Sequence, residues 1–408
     1  MSAAQKCERQ QGSEHRLGRA REVLRASLQL GCTSFGGPIA HLGYFERAYV
    51  RQRRWLSGEE YASLVALCQM LPGPASSQVG FLIGLRHAGW LGGLAAWLGF
   101  TLPSALFMYV CAIGLTHAEG PAALSALHGL KLVAVAVVAQ AVWSMARKLC
   151  PDRPRIAIAL AAASFLLIVG SAGGQLIVLV AGAVAGMVLC RHMPLDLHPL
   201  TMPVSRQLAW IALALCAVLL FGLPLLAARS PHGYIALASL FYRAGALVFG
   251  GGHVVLPLLR EAMVPDGWIT DDRFLAGYGL AQAVPGPLFT LGTYLGAANR
   301  YTTPPLLGAV VAGTFIFLPG LLLATAGAAL WSRFARHQAV RSGIVGINAT
   351  VVGILGAALY DPVWISAIHS RADMAIAAVA LMLLEQWKAP PIVVVALCVA
   401  SSIVETLL

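Results

Sequence analysis

A block of residues that no continuous helix accommodates occurs twice, in the same order, inside apolar sequence. SFGGPIAHL at 34–42 returns as VFGGGHVVL at 248–256, so Phe35-Gly36-Gly37 recurs as Phe249-Gly250-Gly251, an offset of 214 residues. WLSGEEY at 55–61 returns as WITDDRF at 268–274, Gln69 as Gln282, and Pro72-Gly73-Pro74 as Pro285-Gly286-Pro287, each at an offset of 213. A third match, FTLPSALF at 100–107 against IFLPGLLL at 316–323, follows after a drift of three residues. Chance does not keep that order, so the chain reads as two homologous halves.

Composition says what surrounds those halves. With 58% hydrophobic and 11% charged residues over 408 positions, there is too little polar surface to enclose one buried core. Several apolar segments approach the roughly 20 residues that span a bilayer. The expected fold class is therefore an all-α polytopic membrane protein. Plain apolar helices are predicted at about 90–113, 128–147, 154–170 and 174–190, then at about 304–331, 342–360, 372–386 and 390–408. An unpaired helix, about 206–228, follows the proline-containing linker RHMPLDLHPLTMPVSR at 191–206. The predicted organisation is a cytoplasmic tail over 1–20, a first repeat over 21–190, a linker with connecting helix over 191–230, and a second repeat over 231–408. The first 22 residues are polar and mixed in charge, without the apolar core of a signal peptide.

Charge sets the expected orientation. The loop ERAYVRQRR at 46–54 carries four arginines and one glutamate, net +3, whereas its counterpart at 260–273 carries two arginines and four acids, net −2. Basic loops stay in the cytoplasm, so the halves are expected upside down relative to each other, as in inverted-repeat transporters. The formal charge of +11 is explained by these short loops, and no nucleic-acid partner is expected. The parity of the loops favours two re-entrant hairpins per half, over 21–50 and 58–88 in the first, turning at the FGG and PGP motifs. Full spans kinked by proline are the competing reading.

A proline that follows a glycine removes a backbone donor and ends the hydrogen-bond ladder, so each motif should close one half-helix and open another, with Pro38, Pro74 and Pro287 in its first turn. Broken backbone at membrane depth is tolerated only where protein buries it or where it lines a wet cavity. Each new half-helix would present free N–H groups and roughly half a positive charge to the gap, an environment suited to an anion.

SFGGPIAHLGYF, LCQMLPGP and the second FGGGHVVLPLL…WIT…LAQAVPGP resemble the signature blocks of the chromate ion transporter family, whose long members carry two homologous halves, over nearly the whole chain. The resemblance implies chromate export across the bacterial inner membrane by a multi-pass protein, with sulfate as the analogous ion and the proton-motive force as driver. One departure is that Pro38 stands where the second half has Gly252, so the two tips need not bind equally. The substrate-binding candidates are Phe35, Gly36, Gly37, Gln69, Pro72, Gly73, Pro74, Phe249, Gly250, Gly251, Gln282, Pro285, Gly286 and Pro287. His41 and His253, just after the FGG motifs, are candidates for a proton relay, against the blander reading of satisfied core histidines.

Other residues have ordinary explanations. Lys131 and Arg243 begin apolar helices and are expected to snorkel to the interface. Glu59, Glu60, Asp271 and Asp272 complement helix dipoles, and Gly182 and Gly186 form a small-xxx-small packing pair. Eight scattered cysteines form no C-x-x-C pair, so no metal or other cofactor is expected. Motifs for zinc proteases, serine hydrolases and P-loops are absent, which argues against an enzyme. A passive anion channel and a sulfate transporter are the nearer alternatives, and a homodimer is an allowed assembly.

Overall fold

The computed structural model describes residues 3–35, 37–117, 121–169, 174–190, 202–249, 252–334 and 337–407, and every regular element among them is helical. Gly36, Gly250, Gly251 and most of the linker predicted at 191–206 fall outside the described residues, as does the side chain of His253.

The first half opens with α1 (Ala3–Thr33), which stops before Phe35. The chain resumes as α2 (Gly37–Phe45) and widens into a π-helical stretch over Glu46–Gln52. Ser57 starts α3 (Gly58–Met70): its hydroxyl accepts from the Glu60 N–H while the Glu60 carboxylate accepts from the Ser57 N–H. This reciprocal cap satisfies two donors that a helix start leaves free. After Pro72-Gly73-Pro74 comes α4 (Ala75–His117), which is two limbs in one element, because Ala88 and Gly89 leave helical geometry.

The limbs fold against each other at glycine. A Cβ on Gly84 would lie 2.3 Å from the Gly92 carbonyl oxygen, and one on Gly92 would lie 2.2 Å from that of Gly84. Backbones touch there, which only the smallest residue permits. α5 (Pro121–Leu149), α6 (Arg153–Val169) and α7 (Gly174–Leu189) complete the half. In the turn before α6, the Arg155 guanidinium bonded to Asp152 holds that carboxyl below its usual range.

The connecting helix α8 (Arg206–Ala227) is capped by the Ser205 hydroxyl, which accepts from the Leu208 N–H. It exposes Trp210, Ile211, Val218, Phe221 and Leu225, an apolar face suited to lipid.

The second half repeats the first with altered turns. α9 (Tyr234–Leu247), a 3₁₀ turn at Gly252–Val254, α10 (Val255–Met263) and α11 (Asp271–Ala283) match α1 to α3. A 3₁₀ turn at Leu288–Thr290, α12 (Leu291–Ala298) and α13 (Pro305–Phe334) match the two limbs of α4. The contact between limbs recurs: a Cβ on Gly296 would meet the Gly308 carbonyl oxygen at 2.3 Å, and one on Gly308 that of Gly296 at 2.1 Å. Where the first half turns at Gly89, the second uses 299–304, held by the Asn299 side-chain oxygen accepting from the Tyr301 and Thr302 N–H groups. The extra residues behind the three-residue drift lie in this turn. α14 (Gln338–Ala358), a π-helical stretch over Leu359–Trp364, α15 (Ile365–Ala367), α16 (Arg371–Glu385) and α17 (Pro391–Leu407) follow.

Five helical stretches, 75–115, 125–149, 206–227, 305–330 and 338–367, are long and apolar enough to cross a membrane. By contrast α3 and α11 have 13 residues each. At about 1.5 Å per residue they rise about 20 Å, short of a hydrocarbon core of about 30 Å. The halves are interlocked rather than side by side. Gly182 and Gly186 of α7 pack on Gly346 of α14 with no room for a side chain, the close packing expected of that pair. His128 of α5 lies 2.6 Å from Asp373, which also caps α16 through Ser370.

Candidate substrate site at the crossing of the two halves

The two PGP turns are each anchored on the other half. The Gly73 N–H donates to the Val248 carbonyl at 2.7 Å, and the Gly286 N–H donates to the Ser34 carbonyl at 2.9 Å. Gly73 and Gly286 are equivalent, and so are Ser34 and Val248, each the residue before a Phe-Gly-Gly. The pair of bonds therefore obeys the pseudo-twofold relation of the halves. Each turn also abuts the long helix of the opposite half: a Cβ on Gly73 would lie 2.9 Å from the Gly320 Cα, and one on Gly286 2.7 Å from the Ser104 Oγ. Ser104 and Gly320 are themselves equivalent, each following the Leu-Pro of the third repeated block.

Both glycines have the backbone that this crossing demands, with φ of +113° at Gly73 and +98° at Gly286. Such angles are open to glycine and strained for other residues. α4 begins at Ala75, so Pro74 and Pro287 each sit one position ahead of the new helix and accept its first bonds, from the Gln78 and Thr290 N–H groups. Only Pro38 lies inside a first turn, that of α2.

The same backbone carries unequal side chains. On the first-half side, Ser34, Ser77 and Thr101 are at most 7% exposed, and their hydroxyls have no partner among the described residues. Gln78, fully buried, donates to the Pro72 carbonyl at 2.8 Å and the Gly320 carbonyl at 2.9 Å, while its Oε1 stays unpaired. His41 is buried, with Nδ1 3.4 Å from the Ser76 Oγ and its ring edge-on to Phe100. The second-half equivalents of Ser34, Ser76, Gln78 and Thr101 are Val248, Phe289, Leu291 and Phe317, all apolar, and the Phe289 and Phe317 rings lie 5.6 Å apart. Thr290, matching Ser77, turns its hydroxyl back to the Pro287 carbonyl.

The structure thus brings Gly73, Pro74, Gly286 and Pro287 together with the residues flanking the two FGG motifs. Gln282 is half-buried on α11, whereas Gln69 is exposed on α3. The polar residues sequence reasoning passed over are Ser34, Gln78 and Thr101. The Ser-Ser-Gln run directly after Pro74-Ala75 was the visible signal for Gln78, and Ser34 and Thr101 had none. Lys131 departs from the snorkelling expectation: its side chain is 10% exposed and its ammonium donates to Asp272 at 2.9 Å and to the Ser366 carbonyl at 3.0 Å. The acid that opens α11 reaches across to α5, so pairing is cheaper than exposing the ammonium. No group of three metal-ligating side chains occurs among the described residues, and seven described cysteines are free.

These features define a multi-pass helical membrane protein of two interlocked, pseudo-symmetric halves that meet at broken backbone. The family described as "Chromate transporter" matches residues 21–187 and 235–403, one match to each half. The chain belongs to the chromate transporter family. A chromate transport protein of Pseudomonas aeruginosa is 29% identical over 371 residues, covering 88% of this chain and 86% of that protein. A probable chromate transport protein of Synechococcus elongatus is 29% identical over 344 residues, 83% of each chain. An uncharacterized transporter of Bacillus subtilis, YwrB, is 36% identical over 133 residues, 32% of this chain and 65% of that protein. No solved structure matches the chain.

Proposed function

We propose that this protein exports chromate from the cytoplasm across the bacterial inner membrane, drawing on the proton-motive force and thereby conferring chromate resistance. The substrate would sit at the crossing, where the PGP and FGG turns bring backbone donors and helix N-termini together. The observation that carries this reading is the reciprocal pair of bonds from Gly73 and Gly286. It ties the PGP turn of each half to the residue before the FGG motif of the other, and Ser34, one of those residues, has a buried hydroxyl that lacks a partner among the described residues. A tetrahedral oxyanion accepts several hydrogen bonds at once, and the three unpaired hydroxyls can donate to it without a permanently buried cation. Gln282, half-buried on α11, is a further candidate donor, and Gln69 would contribute only if α3 moved. His41, next to Ser76, is the nearer candidate for passing a proton, with His253 its second-half counterpart.

In this reading the halves are inverted, with the N-terminus and loop 46–54 inside and loop 260–273 outside, and two hairpins in each half, α1 with α2 and α3 with the first limb of α4, then α9 with α10 and α11 with α12, enter the membrane without crossing it. The test is uptake of labelled chromate into inverted vesicles, with and without a protonophore and with sulfate as competitor. Uptake that collapses with the proton gradient supports the proposal. Uptake that persists without it marks a passive channel, and preferential displacement by sulfate marks a sulfate transporter.

A further inference from the structure

A cavity of about 430 Å³ opens beside α9, away from the polar residues of the first half. It runs along one face of α9 from Ala236 to Leu247 and is closed by Leu258 and Glu261 of α10, by Asp266 and Trp268, and by Gln175 at the start of α7. Its wall on α9 ends at Leu247, two residues before Phe249 in sequence. The outer end opens at the acidic loop that follows α10.

Two opposite charges face this space without meeting. Arg243 takes part in none of the ion pairs among the described residues, and Glu261 Oε1 is buried with no hydrogen-bond partner. Nearby charges behave differently: Arg260 holds Asp271 at 2.7 Å and Lys131 holds Asp272 at 2.9 Å. Arg243 is exposed on the cavity wall while Glu261 is partly buried; a partly desolvated carboxylate without a partner is costly, and the cheap remedy, a pair with Arg243, is not taken here. The arrangement is also peculiar to the second half, since the residues 214 positions earlier are Gln29 and Arg47.

We propose that this cavity is an oxyanion-binding vestibule, in which a tetrahedral dianion docks on the Arg243 guanidinium as Glu261 takes up a proton. The inference rests on the oxyanion-transport reading and adds to it a second binding site. The step is a simple titration: one carboxylate oxygen forms an O–H bond with a proton from the mouth, and releases it when the anion leaves. With Glu261 ionised, its charge opposes the anion and draws on Arg243. Once it is protonated, the guanidinium is left to the substrate. By linkage, whatever factor protonation adds to anion affinity, anion binding adds to proton affinity.

The surrounding groups leave Glu261 as the titrating element. α9 presents Arg243, the loop after α10 presents Asp266, and α7 presents only the neutral Gln175. α11 contributes Asp271, which Arg260 of α10 already holds. The one charged residue of α14, Arg341, lines a separate apolar cavity with Leu67 and Met70. His232 and Arg229 lie in the turn after α8, the histidine ring packed on Tyr301 at the rim. The side chain of His253, in the turn before α10, lies outside the described residues. Glu261 itself is outside all five spans, and burial raises its carboxyl from the ordinary range to about 7.

The experiment is equilibrium binding of labelled sulfate to the purified full chain in detergent, between about pH 5.5 and about pH 8, a range in which sulfate stays a dianion while chromate itself titrates. Wild type should bind about tenfold more tightly at the acid end, within the usual range of coupling between sites. Glu261→Gln should bind tightly across the range, with less than about a twofold change. Arg243→Gln should bind weakly throughout. Monodispersity on size exclusion checks that both variants fold. A wild-type pH slope retained in Glu261→Gln, or unaltered binding in Arg243→Gln, overturns the vestibule even if vesicles still move chromate. Failure of wild type to bind sulfate or chromate at any pH overturns the transport reading, and the vestibule with it.

Discussion

The crossing makes a graded prediction about two glycines that sequence alone treats as equals. An alanine at Gly73 must adopt a φ near +113°, a strain of about 1–3 kcal/mol. Its Cβ would also lie 2.9 Å from the Gly320 Cα, a backbone atom that cannot rotate away. Relieving such overlap by backbone shift costs about another 1–3 kcal/mol, so Gly73→Ala should lose about 2–6 kcal/mol at the point where the halves bond. Gly286→Ala meets the same strain, but its Cβ faces the Ser104 hydroxyl at 2.7 Å, a side-chain atom that can turn. Replacing that serine by glycine, the residue already present at the equivalent Gly320, should remove the closest contact and return about 1 kcal/mol, leaving the Phe100 carbonyl oxygen at 3.2 Å. Thermal unfolding of the purified variants, followed by tryptophan fluorescence, and labelled chromate flux in vesicles measure the two sides of the argument. Gly73→Ala should be the more severe, and the Ser104→Gly and Gly286→Ala double variant should recover stability relative to Gly286→Ala alone. If Gly73→Ala unfolds and transports as wild type, the bond to Val248 does not join the halves, and the site built on it fails.

Three further outcomes follow from the packing. Gly84→Leu or Gly296→Leu should separate the paired limbs, since even a Cβ meets a carbonyl oxygen at 2.3 Å, and should leave little folded protein in extracted membranes, whereas Gly43→Leu, with open space around it, should not. Asp272→Ala should destabilise more than Lys131→Met: the first leaves a buried ammonium with only the Ser366 carbonyl, and the second leaves only an acid that is 66% exposed. Equal melting shifts would refute the pairing. Single cysteines at 50 and 265 should label from opposite faces of the membrane, inside and outside respectively, and labelling from one face would end the inverted reading.

The plan of the chain was legible because helix-breaking residues are local in effect. Pro72-Gly73-Pro74 and Phe35-Gly36-Gly37 interrupt a helix whatever surrounds them, so their recurrence at 213 and 214 residues marked both the halves and the places where α1, α3, α9 and α11 stop. The boundary expected near 88 also falls at a turn, where Ala88 and Gly89 leave helical geometry. Helices bounded by weaker signals drifted: α5 begins at Pro121 rather than 128, and α14 at Gln338 rather than 342. What could not be read is which half each turn would touch. Nothing in the neighbourhood of Gly73 names Val248, because the bond spans 175 residues and depends on the two halves interlocking. Lys131 was misread for the same reason, its partner lying 141 residues away. Ser34, Gln78 and Thr101 pass in sequence for small or polar residues in apolar helices, and only their shared burial without partners singles them out.

Duplication explains the backbone of the site but not its chemistry. Two equivalent turns, each held by the other half, would form two equivalent anion sites if the side chains had kept the symmetry. They have not: where one side offers Ser34, Gln78 and Thr101, the other offers Val248, Leu291 and Phe317. Hydroxyls left unpaired in the interior are expensive, each costing about 1–3 kcal/mol, and valine and phenylalanine at the matching positions demonstrate that the fold does not need them. The apolar side is what this crossing looks like when packing alone decides the residues. The polar side is the same crossing with stability surrendered, and on the proposed function the ligand that offsets the loss accepts hydrogen bonds from the Ser34, Ser77 and Thr101 hydroxyls. In the proposed reading, the anion lies on this first-half side of a crossing to which both halves contribute backbone.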